Sequence, residues 1–196
     1  MIMRHDLVAR HVWTCALCVL SVGLSIPPMR TLIEESMVWH MSIQMPAIIL
    51  TGWMANSHSI AVVRTDRLAP WNRYGLTGFI VAQGVLAYWM LPLAIDRAVV
   101  VPHVDIIKLS TLLICGVILQ DSFSRAPAVL QLFFVGYLVS MMTWLGIFYA
   151  TTDLRLCNAY SQVSQARAGR AVASLGIALG IGWGAIGVGR LMNTRA

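Results

Sequence analysis

A short segment around position 40 carries the side chains of this sequence that are best suited to bind a metal ion. It reads Ser-Met-Val-Trp-His-Met-Ser-Ile-Gln-Met-Pro. In an α-helix, at about 100° per residue, its thioethers, imidazole and amide fall on one face. Thioether and imidazole ligands suit copper, particularly Cu(I), whereas Mg or Ca would require carboxylate oxygens. The candidate copper ligands are His40, Met37, Met41 and Met45, with Gln44 as an additional one.

A second polar cluster combines acidic and basic residues over a short stretch: Asp96, Arg97, His103, Asp105 and Lys108. A lysine about one turn inside an apolar helix is costly unless it is paired or reaches the membrane interface. Asp105, at i−3, or Asp96 is therefore the expected partner of Lys108. A structural ion pair is the favoured interpretation, and a proton relay is the alternative.

The composition indicates that lipid, rather than water, surrounds most of this chain. Of 196 residues, 58% are hydrophobic and 11% are charged, with a mean hydropathy of +0.74, where a soluble domain has about 25% charged residues. Despite a net charge of +6, the basic residues lie singly between apolar stretches, so nucleic acid is not an expected partner. Phosphate-binding loops, dinucleotide fingerprints and nucleophile elbows are absent from the sequence, so we expect no enzyme. The cysteines are expected to be buried and inert.

The apolar stretches are long enough to cross a bilayer, which takes about 18 or more residues. They predict an all-α, six-helix membrane bundle with short loops, in one integral membrane domain covering 1–196. The predicted spans lie near 9–26, 36–54, 75–95, 104–120, 127–149 and 171–190. Prolines at the boundaries support this division, because proline is tolerated at the start of a helix. Pro46 lies inside the second span, where it is expected to bend the helix.

The distribution of basic residues predicts which side of the membrane each loop faces. Eight Lys or Arg residues fall on the side of the two termini and six on the other side, so both termini are predicted to be cytoplasmic. Seven of the 11 methionines then lie in the outer half, namely Met29, Met37, Met41, Met45, Met90, Met141 and Met142. His103 joins them as an additional candidate ligand. The alternative is that the methionines only fill an irregular core.

Two further segments predict contacts at the outer rim and between helices. Leu156, Tyr160 and Val163 share one side of the 150–170 loop at helical spacing, which predicts an interfacial helix there. The sixth span places Gly176, Gly180 and Gly184 four residues apart. Small residues allow close helix approach in lipid. Packing inside one bundle is the favoured interpretation, and self-association or docking on a larger complex is the alternative.

Two segments together resemble the CtaG-like membrane proteins, a family linked to assembly of caa3-type cytochrome oxidase. The run Trp-His-Met-Ser-Ile-Gln-Met at 39–45 resembles the family's His-Met-x-Gln-His-Met segment. Gln-Ala-Arg-Ala-Gly at 165–169 resembles its Asp-Gln-x-x-Ala-Gly segment before the last helix. The positions that carry over are His40, Met41, Met45 and Gln165. Gln44 stands near the family's second histidine and Ser164 at its aspartate.

The resemblance implies a factor of the bacterial inner membrane that delivers copper to, or helps to mature, a copper-containing membrane oxidase. The expected partners are then the lipid bilayer and membrane redox enzyme subunits. An accessory transmembrane subunit of a larger respiratory or copper monooxygenase complex is the first alternative. Transport of a small solute is the second, suggested by Asp96, Lys108 and Gln44 at membrane depth. Under each of these three functions, structural polar roles are expected for Asp96, Asp105, Lys108 and Gln165.

Overall fold

The computed structural model describes residues 35–57 and 70–193, together with residue 23. All of the regular secondary structure in these ranges is helical, which confirms the predicted all-α class. The elements are α1 (Met37–Trp39), π1 (His40–Gln44), α2 (Met45–Ser57), α3 (Leu76–Trp89), α4 (Pro92–Val100), α5 (Pro102–Arg125), α6 (Ala128–Thr151) and α7 (Gln162–Asn193). The predicted first span, 9–26, lies outside the described residues apart from position 23.

Prolines set three of the helix boundaries. The residues before Pro92, Pro102 and Pro127 are extended, with ψ of 135°, 108° and 136°. Steric conflict with the proline ring disfavours helical geometry at the preceding residue. Pro92 and Pro102 begin α4 and α5, and Pro127 directly precedes α6. These boundaries therefore follow from local chain chemistry.

Three helices are long and apolar enough to cross a membrane: Pro102–Arg125, Ala128–Thr151 and Gln162–Gly187. α3 and α4 make a fourth candidate if they form one span, although they meet at a bend of 71°. The predicted span 75–95 therefore corresponds to two helices that meet at a bend near Met90. The predicted second span corresponds to α1, π1 and α2, which follow one another without a break. The count of six spans and the orientation of the termini stay predictions.

The outer surface of the bundle is apolar over large areas. Phe133 is 72% exposed, Trp144 73% and Ile181 68%. Soluble proteins rarely expose extended apolar surface of this kind. The exposed side chains are consistent with helices that lie in lipid.

Two hydrophobic cores of different composition fill the interior. We call the first the methionine core, and its buried members are Met37, Met41, Met45, Ile48, Trp89, Ala94, Ile95, Ala98, Leu112, Met142, Tyr149, Cys157, Tyr160, Ala168 and Val172. We call the second the phenylalanine core, and it comprises Phe79, Ala82, Leu86, Cys115, Leu119, Ala126, Phe134 and Val135. The rings of Phe79 and Phe134 stack with centroids 4.6 Å apart. Both cysteines in these cores are buried, as expected.

Glycines permit the close crossing of α6 and α7. A Cβ atom at Gly146 would lie 2.5 Å from the carbonyl oxygen of Gly169. A Cβ atom at Gly176 would lie 2.8 Å from the Cβ of Met142. Packing inside the bundle is thus confirmed for this part of the glycine stripe. At Gly184, further along α7, an added Cβ would meet no atom within 4 Å in the part of the chain that the structure describes.

Candidate functional site

The segment at 40–44 forms a π-helical turn between two α-helical segments. The backbone N–H of Met45 donates to the carbonyl oxygen of His40, five residues earlier. Pro46 has no N–H, so the carbonyl of Ser42 cannot receive the α-helical hydrogen bond from that position. Single π-turns inside helices occur frequently at functional sites. The turn contains His40, Met41 and Gln44 of the predicted metal ligands, and Met37 and Met45 lie in the helical segments on either side of it.

His40 lies completely inside the protein, beside a lysine from another helix. Its side chain is 0% exposed, and its Nε2 lies 3.3 Å from the Nζ of Lys108. The ring of Tyr160 meets the imidazole edge-on, with centroids 6.3 Å apart. An ammonium group can only donate a hydrogen bond, so Nε2 accepts from Lys108. In the neutral imidazole the proton then lies on Nδ1.

Asp105 holds the same lysine from the other side. Its Oδ1 lies 2.6 Å from the Nζ of Lys108, and the side chains are 4% and 0% exposed. The predicted ion pair is therefore confirmed, with Asp105 rather than Asp96 as the partner. A buried pair of this kind is costly to desolvate and needs further polar contacts. Together, Asp105, Lys108 and His40 form a buried carboxylate, ammonium and imidazole row that we call the triad.

The thioethers of the 37–45 segment are buried in the methionine core. Met37, Met41 and Met45 are 0%, 5% and 7% exposed and belong to the methionine core. Met142 from α6 is 7% exposed and belongs to the same core, and Met90 packs against it. This end of the bundle therefore has a core rich in sulfur.

Not every predicted ligand joins this core. Met141 lies against the phenylalanine core, and its Sδ is 3.2 Å from the Nε2 of Gln83. His103, the second residue of α5, is exposed. Gln44 is buried, at 1% exposure. The structure therefore places Gln44 inside the bundle, whereas His103 lies on its surface.

The prediction of an interfacial helix at the 150–170 loop is wrong. Residues 152–161 are not helical, and α7 begins at Gln162. Asp96 accepts hydrogen bonds from the backbone N–H groups of Asn158 at 2.6 Å and Ala159 at 3.1 Å. These contacts come from α4 and give the loop backbone the hydrogen bonds that a helix would have supplied. Asp96 thus has a structural role, although not the one of pairing with Lys108.

Two more side chains hold the same loop, which we call the rim loop (152–161). The guanidinium of Arg155 donates to the carbonyl oxygens of Cys157, Asn158 and Tyr160 at 3.2, 2.7 and 3.0 Å. Gln165 accepts from the N–H of Leu156 at 2.9 Å and donates to the carbonyl of residue 154 at 3.2 Å. Gln165 therefore connects α7 to the rim loop.

Two residues of the rim loop itself, a tyrosine and a cysteine, are buried. Tyr160 is 3% exposed and contacts His40, and Cys157 is 0% exposed. Burial raises the pKa of the Cys157 thiol to about 12, with a further contribution from the Asp96 carboxylate. The sequence alone does not predict the contact between Tyr160 and His40, because 120 positions separate them and no local pattern contains both residues.

The two segments that carry the family resemblance lie in regions of the chain that contact each other. The backbone N–H of Met37 donates to the Oγ of Ser164 at 3.2 Å. His40 meets Tyr160, and Gln165 holds the loop that contains Tyr160. Residues from the first and last described helices thus build one site.

The donor set decides which metal ion this site fits. Among the residues that the structure describes, no group of three or more His, Cys, Asp or Glu side chains could hold a metal ion. Thioethers with one imidazole are a different donor set, and they suit soft Cu(I). The buried methionines therefore fit Cu(I) in their chemistry, whereas Nε2 of His40 already accepts from Lys108.

The comparisons with known proteins give no family for this chain. No protein-family model, no curated protein and no solved structure matches it.

Proposed function

We propose that this chain is a non-enzymatic, multi-pass protein of the bacterial inner membrane that binds Cu(I) for the maturation of a copper-containing membrane oxidase. One observation carries the proposal: three methionines and a histidine lie buried together at a π-helical turn. Thioethers are neutral, soft ligands, which suits an exchangeable cuprous ion better than a divalent one. The sulfur ligands would be Met37, Met41 and Met45, with Met142 next to them in the methionine core.

Contacts between the two regions that contain the resembling segments support the same proposal. The amide of Met37, two residues before the first segment, donates to Ser164, directly before the second. Gln165 connects α7 to the loop that contains Tyr160, which contacts His40. One site built from both regions is what a copper-handling role would require.

Copper binding to the purified protein tests this proposal. Under anaerobic, reducing conditions we expect about one equivalent of Cu(I), and we expect the double variant Met41→Leu with Met45→Leu to retain much less. Met→Leu substitutions change core volume little and cost less than about 1.5 kcal/mol each. The loss of copper would then reflect the loss of sulfur.

Met141→Leu is the matched control, because Met141 lies on the phenylalanine core. This variant should bind as much copper as the unchanged protein. Protein that stays metal-free after copper loading would contradict the proposal. An equal loss in the Met141 variant would also contradict it.

An accessory subunit of a larger membrane complex is the second candidate. The far part of α7 favours it, because a Cβ added at Gly184 or Gly187 would meet no atom of the described residues within 4 Å. Small residues on an open helix face allow another helix to approach closely. Recovery in fixed stoichiometry with redox subunits after mild solubilisation, without copper in this chain, would favour this second function over the first.

A further inference from the structure

We infer that Lys108 is a built-in competitor for the cuprous ion: its ammonium occupies Nε2 of His40, and it must leave that nitrogen before a soft monovalent cation binds there. This inference rests on the proposed function and deepens it, because it names how the same site is regulated.

The position of the ammonium carries the inference. It lies 3.3 Å from Nε2 of His40 and 2.6 Å from Oδ1 of Asp105. Lys108 and Asp105 come from α5, whereas His40 comes from the π-turn. A positive charge at this distance from a ligand nitrogen opposes a metal ion at the same nitrogen. Lys108 therefore lowers the affinity of the site until its side chain moves.

The first test uses the unchanged protein and a diamagnetic soft cation. In protein labelled with ¹⁵N-histidine, the ¹⁵N resonances of His40 are assigned by their loss in the His40→Gln variant. Their chemical shifts should show that Nε2 of His40 is a hydrogen-bond acceptor and that Nδ1 is protonated. Saturation with Ag(I) should shift the Nε2 resonance. Ag(I) binding that leaves Nε2 unchanged would overturn the inference and leave the proposed function standing.

The second test removes the charge of Lys108. Lys108→Gln keeps hydrogen-bond donors next to Asp105 and His40 but carries no cation. Its Cu(I) affinity, measured by competition with a chromophoric chelator, should be at least about tenfold higher than that of the unchanged protein. Lys108→Arg, which keeps a permanent cation, should bind no more tightly.

The outcomes separate the two ideas. Copper bound by the unchanged protein, but no more tightly by folded Lys108→Gln, would overturn the inference alone. No binding of Cu(I) or Ag(I) by any form would overturn the proposed function and the inference with it. If Lys108→Gln does not fold, the Ag(I) titration of the unchanged protein decides the inference.

Discussion

The same helix, α5, carries an ion pair near each of its ends, and the two pairs differ in their surroundings. Near its start, Asp105 and Lys108 are 2.6 Å apart, with side chains 4% and 0% exposed. Near its end, Arg125 and Asp121 are 2.8 Å apart, with side chains 30% and 18% exposed. The first pair lies inside the protein next to His40, whereas water reaches the second. Although the two N–O distances are nearly equal, breaking the buried pair therefore costs more free energy than breaking the exposed pair.

The hydrophobic cores at the two ends of α5 also differ, in this case in their composition. The Arg125 end is rich in phenylalanine, and Asn72 joins its loop to α5 by donating to Asp121 at 2.9 Å and to Ser122 at 3.1 Å. The Lys108 end is rich in methionine, a flexible side chain that tolerates rearrangement. The methionine-rich end, which also holds the buried charges, is therefore the end at which the proposed exchange of a cation would take place.

The largest effect is expected from breaking the buried pair. Asp105→Asn leaves the ammonium of Lys108 inside the protein without its carboxylate, which should lower the free energy of unfolding by about 3–5 kcal/mol. Denaturant titration in detergent, followed by size-exclusion profiles, measures this loss. A loss below about 1 kcal/mol would mean that the Lys108 end is as well hydrated as the Arg125 end.

The close crossing of α6 and α7 gives the next largest effect. An alanine at Gly146 would place its Cβ 2.5 Å from the carbonyl oxygen of Gly169, and such overpacking costs about 1–3 kcal/mol. The matched control is Gly136→Ala on the same helix, where a Cβ would meet nothing within 4 Å. Thermal unfolding in detergent should separate the two variants, and equal midpoints would contradict the crossing.

The rim loop is tested through the reactivity of Cys157. In the folded protein its pKa is raised to about 12 from an ordinary 9.0, so at pH 8 the thiol is almost entirely protonated and alkylates slowly. Asp96→Ala removes the acceptor for two loop amides, which should release the loop and lower this pKa. More thiolate would then form.

Peptide mass spectrometry of iodoacetamide-treated protein measures alkylation at this one cysteine. We expect a rate increase of about tenfold or more for Asp96→Ala, since each unit of pKa changes the thiolate fraction about tenfold. Asp153→Ala is the control, because Asp153 is exposed in the same loop. Equal rates in the two variants would show that Asp96 does not hold the loop.

The smallest effect is expected at the Arg125 end. Arg125→Gln removes a partly exposed ion pair, which should change the free energy of unfolding by less than about 1 kcal/mol. The change should shrink further in high salt, which screens exposed charges. A salt-insensitive loss comparable with that of Asp105→Asn would remove the contrast between the two ends.

Parts of this architecture follow from local sequence, and others do not. The ion pair of Asp105 with Lys108 was predicted because residues three apart on a helix are neighbours. The rim loop was mistaken for a helix because Leu156, Tyr160 and Val163 have helical spacing. Its non-helical path depends on Asp96, about 60 positions away in the chain, and no local pattern contains that partner.

The sequence by itself determined the helical class, the helix boundaries at Pro102 and Pro127, and the apolar surface, because each of these depends on neighbouring residues or on composition. Only the tertiary structure decided that Lys108, rather than a second histidine, lies against His40, and that Tyr160 and Ser164 join the same site. Those contacts join residues 68 or more positions apart. They exist because helices from distant parts of the chain pack around one core, and packing of that kind depends on the whole fold.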